Sequence, residues 1–262
     1  MTAPFAVVIP ARHGSTRLPG KPLLDIAGRP MIQHVWDRAM ESGADDVVVA
    51  TDDPRIAEAC KAFGASVAMT SGRHQSGTDR IAEVALARDW LEDEIIVNVQ
   101  GDEPLLPHVL VAQVAELLRF NPEAGMATLG TAIQGLDEYL DPNVVKFVAR
   151  ADGTALYFSR APIPWHRDGA AAGLISQTRW QGAMRHLGLY AYRAKSLHEI
   201  AAASPCTLEE DERLEQLRAL WLGIPIQTDV ARALPGPGVD TPEDLERVRQ
   251  LISFSDPGIS PA

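Results

Sequence analysis

Cysteine is scarce in this chain, and long apolar runs are missing. Cys60 and Cys206 are the only cysteines among 262 residues and lie far apart, which excludes a CxxC zinc site and a disulfide framework. The apolar run at residues 5–9 stops at Pro10 and is much shorter than the roughly 20 residues that a membrane span needs. These features predict a cytoplasmic protein with no membrane partner.

Positive charge is also in deficit. The chain has 24 Lys and Arg against 35 Asp and Glu, a formal net charge of −11. A protein that binds duplex nucleic acid normally carries a basic excess, because neutralising phosphates drives its affinity, so we expect no nucleic-acid partner. A small phosphorylated ligand needs only a local cluster of cations, and the position of such a cluster becomes the informative question.

The order of apolar segments predicts an α/β fold. Short β-branched runs alternate with helical patterns up to residue 120, which indicates βαβ units and a mostly parallel sheet. These runs are apolar without alternation, so we expect helices on both faces of the sheet. After residue 125 the pattern predicts strands without helices between them, in an antiparallel or mixed sheet. Helices are predicted again over residues 209–221 and 242–252.

Three polar loops follow predicted strands, at residues 10–22, 70–78 and 100–107. In open α/β sheets, ligands bind beyond the carboxyl ends of the strands. Each of these loops has more polar residues than a connection requires. They are therefore the candidate ligand-binding segments.

The first loop concentrates positive charge in an otherwise acidic chain. Arg12, Arg17 and Lys21 lie within ten residues, and Gly14 and Gly20 allow a ligand to approach the backbone closely. Cationic side chains and free backbone N–H groups after a strand favour anion binding. The loop is not a Walker A motif, because five residues separate its glycines and a proline follows the lysine. The alternative interpretation is a solvated basic loop.

The other two loops carry weaker signals. The second loop, GRHQSGTDR, could hold a base or ribose, although the segment also fits a turn before a helix that is capped by Thr78. Asp102, directly after a strand, and Asp240, after the turn PGPGV, are natural ligands for Mg²⁺ opposite a phosphate site. A solvated turn and a helix start are the corresponding alternatives.

Six later polar residues could line a pocket for a polyhydroxylated acid. Taken singly, each also fits a solvated helix face or a satisfied buried side chain. The six are Arg160, Arg185, His186, Tyr190, Glu215 and Gln216.

Several motifs together resemble those of the sugar-acid cytidylyltransferases. The resemblance extends from Val7 to about Ile252, and its last motifs indicate 3-deoxy-D-manno-octulosonate (Kdo) as the acceptor. The motifs are IPARHGSTRLPGKPLLDIAGRPMIQHV, HQSGTDR, VNVQGDEP, ALYFSRAPIPW, RHLGLYAYR, LEQLRALW and GVDTPEDLERV.

This resemblance implies a fold as well as an activity. The expected fold is a Rossmann-like, three-layer α/β nucleotidyltransferase core of the GT-A-like kind with a mostly parallel sheet. We expect a single domain over residues 1–262, with the nucleotide-binding core at about 1–130 and 205–253. An inserted region at about 131–204 would bind the sugar and form a homodimer, and residues 254–262 would be a flexible tail.

The activity implied by the resemblance is transfer of CMP from CTP to the anomeric 2-hydroxyl of Kdo, with release of pyrophosphate. It implies Mg²⁺ as cofactor, a cytoplasmic location and a product used in lipopolysaccharide biosynthesis. The residues carried over are Arg12, Arg17, Lys21 and Asp102 for catalysis; Ala11, Arg12, Lys21, Ser76, Gly77 and Gln100 for the nucleotide; Gln100, Arg160, His186, Tyr190, Glu215 and Gln216 for the sugar; and Asp102 and Asp240 for the metal.

Three other functions share parts of this pattern. A cytidylyltransferase for sialic acid or 8-amino-Kdo would use the same phosphate loop and carboxylates. A GT-A glycosyltransferase has no need of a triply cationic loop, because it does not grip a whole triphosphate. A nucleotide sensor without activity has no need to keep Lys21, Asp102 and Asp240 together.

Overall fold

A computed structural model describes residues 4–14, 18–74, 76–169 and 177–255. The residues predicted to form a flexible tail therefore lie largely outside the described part of the chain, from 256 onward. The strands within the described ranges are β1 (Ala6–Ala11), β2 (Asp25–Ile26), β3 (Arg29–Pro30), β4 (Asp46–Thr51), β5 (Ser66–Met69), β6 (Ile95–Asn98), β7 (Met126–Ala132), β8 (Lys146–Ala149), β9 (Ala155–Ser159), β10 (Met184–Arg193) and β11 (Ile226–Val230).

The helices follow the strands in the alternation that the sequence predicts. Those in the described ranges are α1 (Met31–Glu41), α2 (Pro54–Ala62), α3 (Gly77–Ala87), α4 (His108–Phe120), α5 (Leu136–Leu140), α6 (Ala194–Ala202), α7 (Thr207–Glu212), α8 (Gln216–Trp221) and α9 (Pro242–Ser255). None of them combines the length and apolar character that a membrane span requires.

One mixed, mostly parallel sheet organises the chain, as the sequence predicts. Its main path is β11–β7–β10–β6–β1–β4–β5, and the hairpin β8–β9 joins it through β10. The neighbours β6, β1, β4 and β5 are mutually parallel. Strand β10 runs antiparallel to both β6 and β7, while β11 is parallel to β7. The carboxyl ends of β1, β5 and β6 therefore lie at the same edge of the sheet.

Helices cover both faces of this sheet, which explains the continuous apolar runs. Val7 and Ile9 of β1 pack into a core with α1, α2 and α4. Val8, between them, packs into the opposite core with α3 and α6. Because successive side chains of a strand point to opposite faces, both sets must be apolar.

The segment predicted as an insertion, residues 131–204, supplies the hairpin β8–β9 and also the central strand β10. The sugar-binding and dimerisation roles expected for it stay predictions. Both cysteines, Cys60 and Cys206, are buried free thiols.

One helix prediction is wrong. The segment 209–221 does not form a single helix, because α7 ends at Glu212 and the next residue, Arg213, adopts the left-handed conformation with φ 53°. A second helix, α8, then begins at Gln216. The break lies just before Glu215 and Gln216, which are two of the predicted sugar contacts. It therefore affects the predicted site directly.

Candidate active site

The three predicted loops meet at Pro10. A Cβ atom on Gly101 would lie 2.8 Å from the Pro10 carbonyl oxygen, and one on Gly77 would lie 3.5 Å from the Pro10 side chain. Position 101 therefore has no room for a side chain unless the backbone moves. The close approach brings the loop after β6 and the start of α3 against the end of β1.

Lys21 lies near the end of the first loop and contacts both predicted metal ligands. Its Nζ lies 2.7 Å from Asp102 Oδ2 and 3.1 Å from Asp240 Oδ1, and it also donates to the Val239 carbonyl at 2.8 Å. Gly20 precedes it with φ 69°, in the left-handed region that glycine adopts without a steric cost. The turn at Gly20 thus directs the lysine toward the carboxylates.

Asp240 is held in this position by the segment that leads into the last helix, α9. The Val239 N–H donates to the Asp102 carbonyl at 2.9 Å, which ties the segment before α9 to the loop after β6. Thr241 then caps α9, since its Oγ1 accepts from the Asp244 N–H at 3.2 Å. The side chain of Asp244 accepts in return from the Thr241 N–H at 3.0 Å, a reciprocal pattern that stabilises a helix start.

The two carboxylates fit the expected cofactor. Among the described residues, no group of three or more His, Cys, Asp or Glu side chains is arranged to hold a metal ion. Mg²⁺, however, is usually bound by one or two carboxylates together with substrate phosphates and water. Asp102 and Asp240 share one cation in Lys21, and so form a donor pair of this kind.

Glu103 adds a third carboxyl group beside the pair. Burial, and then repulsion from Asp102, raise its pKa to about 7. Its Oε1 lies only 2.8 Å from the position that a Cβ atom on Gly238 would occupy. The turn before Asp240 therefore packs directly on Glu103, and the sequence indicated this residue only as the neighbour of Asp102.

The predicted nucleotide residues of the second loop lie at the start of α3. Ser76 is the N-cap residue, and its Oγ accepts from the Asp79 N–H at 3.1 Å. Glu83, one helical turn further along, accepts from the Ser71 N–H at 2.9 Å and pairs with His74. Hydrogen bonds at Ser76 and at Glu83 thus attach the second loop to α3, and Gly77 is the first residue of that helix.

The remaining nucleotide residues follow β1 and β6. Ala11 is buried at the end of β1, Arg12 is exposed directly after it, and Gln100 follows the end of β6. Arg17 lies outside the described residues, so its predicted contact with phosphate stays a prediction.

His186 and Tyr190 lie on the strand that runs against β6 and β7. Their rings are 5.2 Å apart, and burial lowers the pKa of His186 to about 3. The Thr128 hydroxyl lies 3.0 Å from His186 Nε2 and also faces the carbonyls of Leu187 and Leu189. In the tautomer that donates Nε2–H to the hydroxyl oxygen, the hydroxyl proton goes to one of the two carbonyls and Nδ1 of the neutral ring is a hydrogen-bond acceptor.

The other predicted sugar residues lie around α7 and α8. The Thr78 hydroxyl donates to Glu215 Oε2 at 2.7 Å, which joins the start of α3 to the start of α8. Loss of hydration raises the pKa of Glu215, and this hydrogen bond partly offsets the effect. Gln216 is buried with its Nε2 lacking a protein partner, a cost that a ligand would remove.

Arg160 is held by main-chain oxygens. Its Nε donates to the Glu212 carbonyl at 2.6 Å and its Nη1 to the Pro142 carbonyl at 2.9 Å. The predicted residues therefore form two groups: the lysine and its carboxylates at the loops after β1 and β6, and the sugar set around β10, α7 and α8. Gln100 lies two residues beyond the end of β6, the strand whose last residue, Asn98, pairs with Tyr190 of β10.

Sequence reasoning missed two polar residues that organise the sugar set, Glu212 and Lys146. Lys146 is fully buried in an otherwise apolar strand, and a lysine within VVKFVAR was a usable signal. Glu212 lies in the acidic run EEDE, where nothing distinguishes it from its neighbours.

Comparison with known proteins agrees with this geometry. A family model described as Cytidylyltransferase matches residues 6–226. A protein of Pseudomonas syringae pv. syringae (strain B728a), named 3-deoxy-manno-octulosonate cytidylyltransferase, is 54% identical over 96% of this chain and 99% of its own. A protein of the same name from Thioalkalivibrio sulfidiphilus (strain HL-EbGR7) is 55% identical over 95% of this chain and 98% of its own.

Solved structures show the same fold. The structure of a CMP:2-keto-3-deoxy-manno-octonic acid synthetase complexed with CTP superposes with a TM-score of 0.86 at 44% identity, over 97% of this chain and 100% of that one. A cytidylyltransferase from Leptospira borgpetersenii serovar Hardjo-bovis (strain JB197) superposes with a TM-score of 0.62 at 18% identity, over 96% of this chain and 88% of that one. The second likeness is evidence of a shared fold alone.

Proposed function

The chain belongs to the cytidylyltransferase family, and from this premise we propose that it transfers CMP from CTP to the anomeric 2-hydroxyl of Kdo. The products are CMP-Kdo and pyrophosphate. The observation that carries the proposal is the 54–55% identity, over nearly the whole chain, to proteins named for this reaction. Lys21 with Asp102 and Asp240, at the carboxyl edge of the sheet, is the geometry that supports it.

The first loop would hold the triphosphate. The anomeric oxygen attacks the α-phosphorus in line with the departing pyrophosphate, so catalysis is mainly positioning and charge neutralisation. Lys21, together with Arg12 and Arg17, offsets the negative charge that grows on pyrophosphate. Lys21 must exchange at least one carboxylate contact for phosphate as CTP enters.

Asp102 and Asp240 would hold Mg²⁺, which when bound supplies charge neutralisation at the phosphates and acidifies a coordinated hydroxyl. The presence of a lysine ammonium between the two carboxylates supports this role. It indicates that the pair attracts a cation strongly enough to organise the loops around it.

The nucleoside and the sugar would lie on either side of Gln100. Ala11, Ser76 and Gly77 border the nucleoside, with Ser76 and Gly77 held at the start of α3. The sugar acid would contact Gln100 and the set around β10, α7 and α8, which is Arg160, His186, Tyr190, Glu215 and Gln216. The unpartnered Nε2 of Gln216 is a donor that suits a hydroxyl or carboxylate oxygen of such a ligand, and an acceptor Nδ1 on His186 suits a hydroxyl group.

The named relatives favour Kdo over the other acceptors. The proteins that match nearly the whole chain are named for Kdo and not for sialic acid or 8-amino-Kdo. A sensor without activity would have no use for both carboxylates around Lys21.

We further propose that the protein acts as a homodimer in the cytoplasm and that its product is used in lipopolysaccharide biosynthesis. The sequence resemblance supports each of these statements. Light scattering after size-exclusion chromatography tests the dimer, and a monomer at micromolar concentration would contradict it.

Pyrophosphate release by purified protein tests the function. The assay contains CTP and Mg²⁺ with Kdo, with sialic acid, or with no acceptor. We expect release only when CTP and Kdo are both present. Release with sialic acid but not with Kdo would support the cytidylyltransferase reaction and contradict Kdo as the acceptor.

A matched pair of variants excludes a contaminating activity. Asp102→Ala should remove most turnover and keep the fold, because it deletes one carboxylate of the cation site. Asp137→Ala, at an exposed position on α5, should turn over like the wild type. Equal activity in the two variants would contradict the role of Asp102.

A further inference from the structure

We propose that Glu212 is a positioning residue for the sugar-acid contacts. Its hydrogen bonds attach the end of β9 to the end of α7 and so keep those contacts at the distances that the substrate requires. The proposal rests on the proposed function and adds a residue to it. Glu212 is placed so that it acts through Arg160, Glu215 and Gln216 rather than by touching the substrate.

The carboxylate of Glu212 accepts two hydrogen bonds from two consecutive residues at the end of β9. Ser159 Oγ donates to Oε1 at 2.5 Å, and the Arg160 N–H donates to Oε2 at 2.9 Å. The Arg160 Nε donates in addition to the Glu212 main-chain carbonyl at 2.6 Å. Both the backbone and the side chain of Arg160 are therefore oriented by this one residue.

Glu212 is also one end of a short segment, residues 212–216, that carries two further sugar contacts. Arg213 turns the chain out of α7 in the left-handed conformation, and Leu214 is buried behind it. At the other end, Glu215 accepts from Thr78 of α3. The segment is thus anchored by a carboxylate at each end, to β9 on one side and to the start of α3 on the other.

Lys146 completes the arrangement from below. Its buried Nζ donates to the Arg160 carbonyl at 2.6 Å and to the carbonyls of Asp141 and Val144 at 2.8 Å and 2.5 Å. Burial lowers the pKa of Lys146, and the negative charge of Glu212 is among the interactions that raise it again. The main-chain N–H of Arg160 therefore donates to Glu212, and the main-chain carbonyl of Arg160 accepts from Lys146.

A carboxylate is required because two donors converge on it. Glutamate offers two acceptor oxygens, whereas glutamine offers one acceptor and an NH₂ group. In Glu212→Gln the NH₂ group must face either the Ser159 hydroxyl or the Arg160 N–H. At least one hydrogen bond is lost or rearranged, and the geometry of Arg160 relaxes.

Steady-state kinetics of Glu212→Gln test the proposal. We expect the KM for Kdo to rise about tenfold, in line with the loss of a hydrogen bond to a charged group, while the KM for CTP stays within about twofold. The matched control is Glu210→Gln, an exposed position on the same helix. It removes the same charge and should leave both KM values unchanged.

Ser159→Ala provides a second variant if Glu212→Gln fails to fold. It removes one partner of the carboxylate and should raise the KM for Kdo by a few-fold. In the double variant, the two effects should be less than multiplicative, because both act on one interaction. Conversely, an independent action of the two residues would give the full product.

Three outcomes would overturn the positioning role. They are an unchanged KM for Kdo in a folded Glu212→Gln, equal rises in both KM values, or a loss confined to thermal stability and kcat. If the wild type itself releases no pyrophosphate with Kdo, the proposed function fails. Wild-type activity with unaffected variants rejects only the positioning role.

Discussion

Residue-scale chemistry centres on Lys21. Its ammonium group is mostly buried and lies against two carboxylates and a carbonyl oxygen. A cation in this position neutralises charges that would otherwise repel each other, at the cost of occupying the space between them. Lys21 therefore has two effects in opposite directions: it favours the phosphate ligand and competes with a metal ion.

Replacing Lys21 with methionine separates these effects. We expect Lys21→Met to lose roughly 100-fold or more in turnover, because a charged donor to the phosphates is removed. In the absence of nucleotide, the same variant should bind Mn²⁺, a spectroscopic substitute for Mg²⁺, more tightly than the wild type. Electron paramagnetic resonance measures free Mn²⁺ directly.

Lys61→Met, at an exposed position on α2, is the matched control and should change neither quantity. Weaker Mn²⁺ binding by Lys21→Met would show that the lysine organises the carboxylates and does not compete for them.

His186 predicts a pH dependence of stability. Its folded pKa of about 3 lies below the ordinary value of 6.5, so between these values the unfolded chain binds a proton that the folded chain does not. Stability from this group is thus complete above pH 6.5 and is lost as the pH falls toward 3, by at most about 1.4 kcal/mol per unit.

Urea unfolding of the wild type and of His186→Gln checks this dependence. The free energy of unfolding of the wild type should fall more steeply than that of the variant between pH 7 and pH 5. Parallel curves over that interval would contradict a neutral buried ring.

At the scale of the elements, polar caps determine where helices begin. Asp53, Ser76 and Thr241 each accept a hydrogen bond from a main-chain N–H of the first turn that follows. The residue types at these positions are the preferred N-caps, and the starts of α2 and α9 could be predicted from sequence. The prediction of Thr78 as the cap of α3 is wrong, because Ser76 is the N-cap residue. The end of α7 could not be predicted, because arginine is a good helix former.

The cap of α2 offers a test at a residue that has no predicted role in the site. Asp53 Oδ1 accepts from the Arg55 N–H at 2.9 Å. Asp53→Ala should therefore lower the free energy of unfolding by about 1 kcal/mol and leave the KM values unchanged. Glu58→Ala, exposed in the same helix, should stay within about 0.5 kcal/mol, and an equal loss in both variants would reject the cap as the cause.

At the scale of the whole molecule, the junction of the central sheet with the hairpin β8–β9 is closely packed. A Cβ atom on Gly130 would lie 2.3 Å from the Phe147 ring and 2.8 Å from the Arg185 carbonyl oxygen. The pairing of β10 with β7 also shifts register between His186 and Tyr190. An irregularity of this kind bends a strand locally, and it lies between two of the predicted sugar residues.

Gly130→Ala should therefore destabilise the molecule by about 1–3 kcal/mol or more, since the backbone or the ring must move. Gly135→Ala is the matched control, because a Cβ atom there meets nothing within 4 Å. Denaturant unfolding compares the two. A cost in Gly130→Ala no larger than in Gly135→Ala would mean that the junction adapts freely.

The amino-acid sequence by itself determined the features that depend on local pattern. Continuous apolar strands predicted a parallel sheet covered on both faces, which Val7, Val8 and Ile9 confirm by alternating between two cores. The three loops at the strand ends followed from the same pattern, because parallel strands must end at one edge. Their residue types and motifs were sufficient to indicate the family.

Only the tertiary structure decided which distant residues meet. Lys21 and Asp240 are separated by 219 positions, and no local pattern specifies that α9 returns to the first loop. Strand β10 enters the middle of the sheet from a segment that the sequence assigned to an insertion. Glu212 looks like its acidic neighbours until Ser159 and Arg160 are placed against it. Each of these features depends on packing between segments that are remote in sequence. The contacts that stabilise them join residues that no short stretch of the sequence contains together.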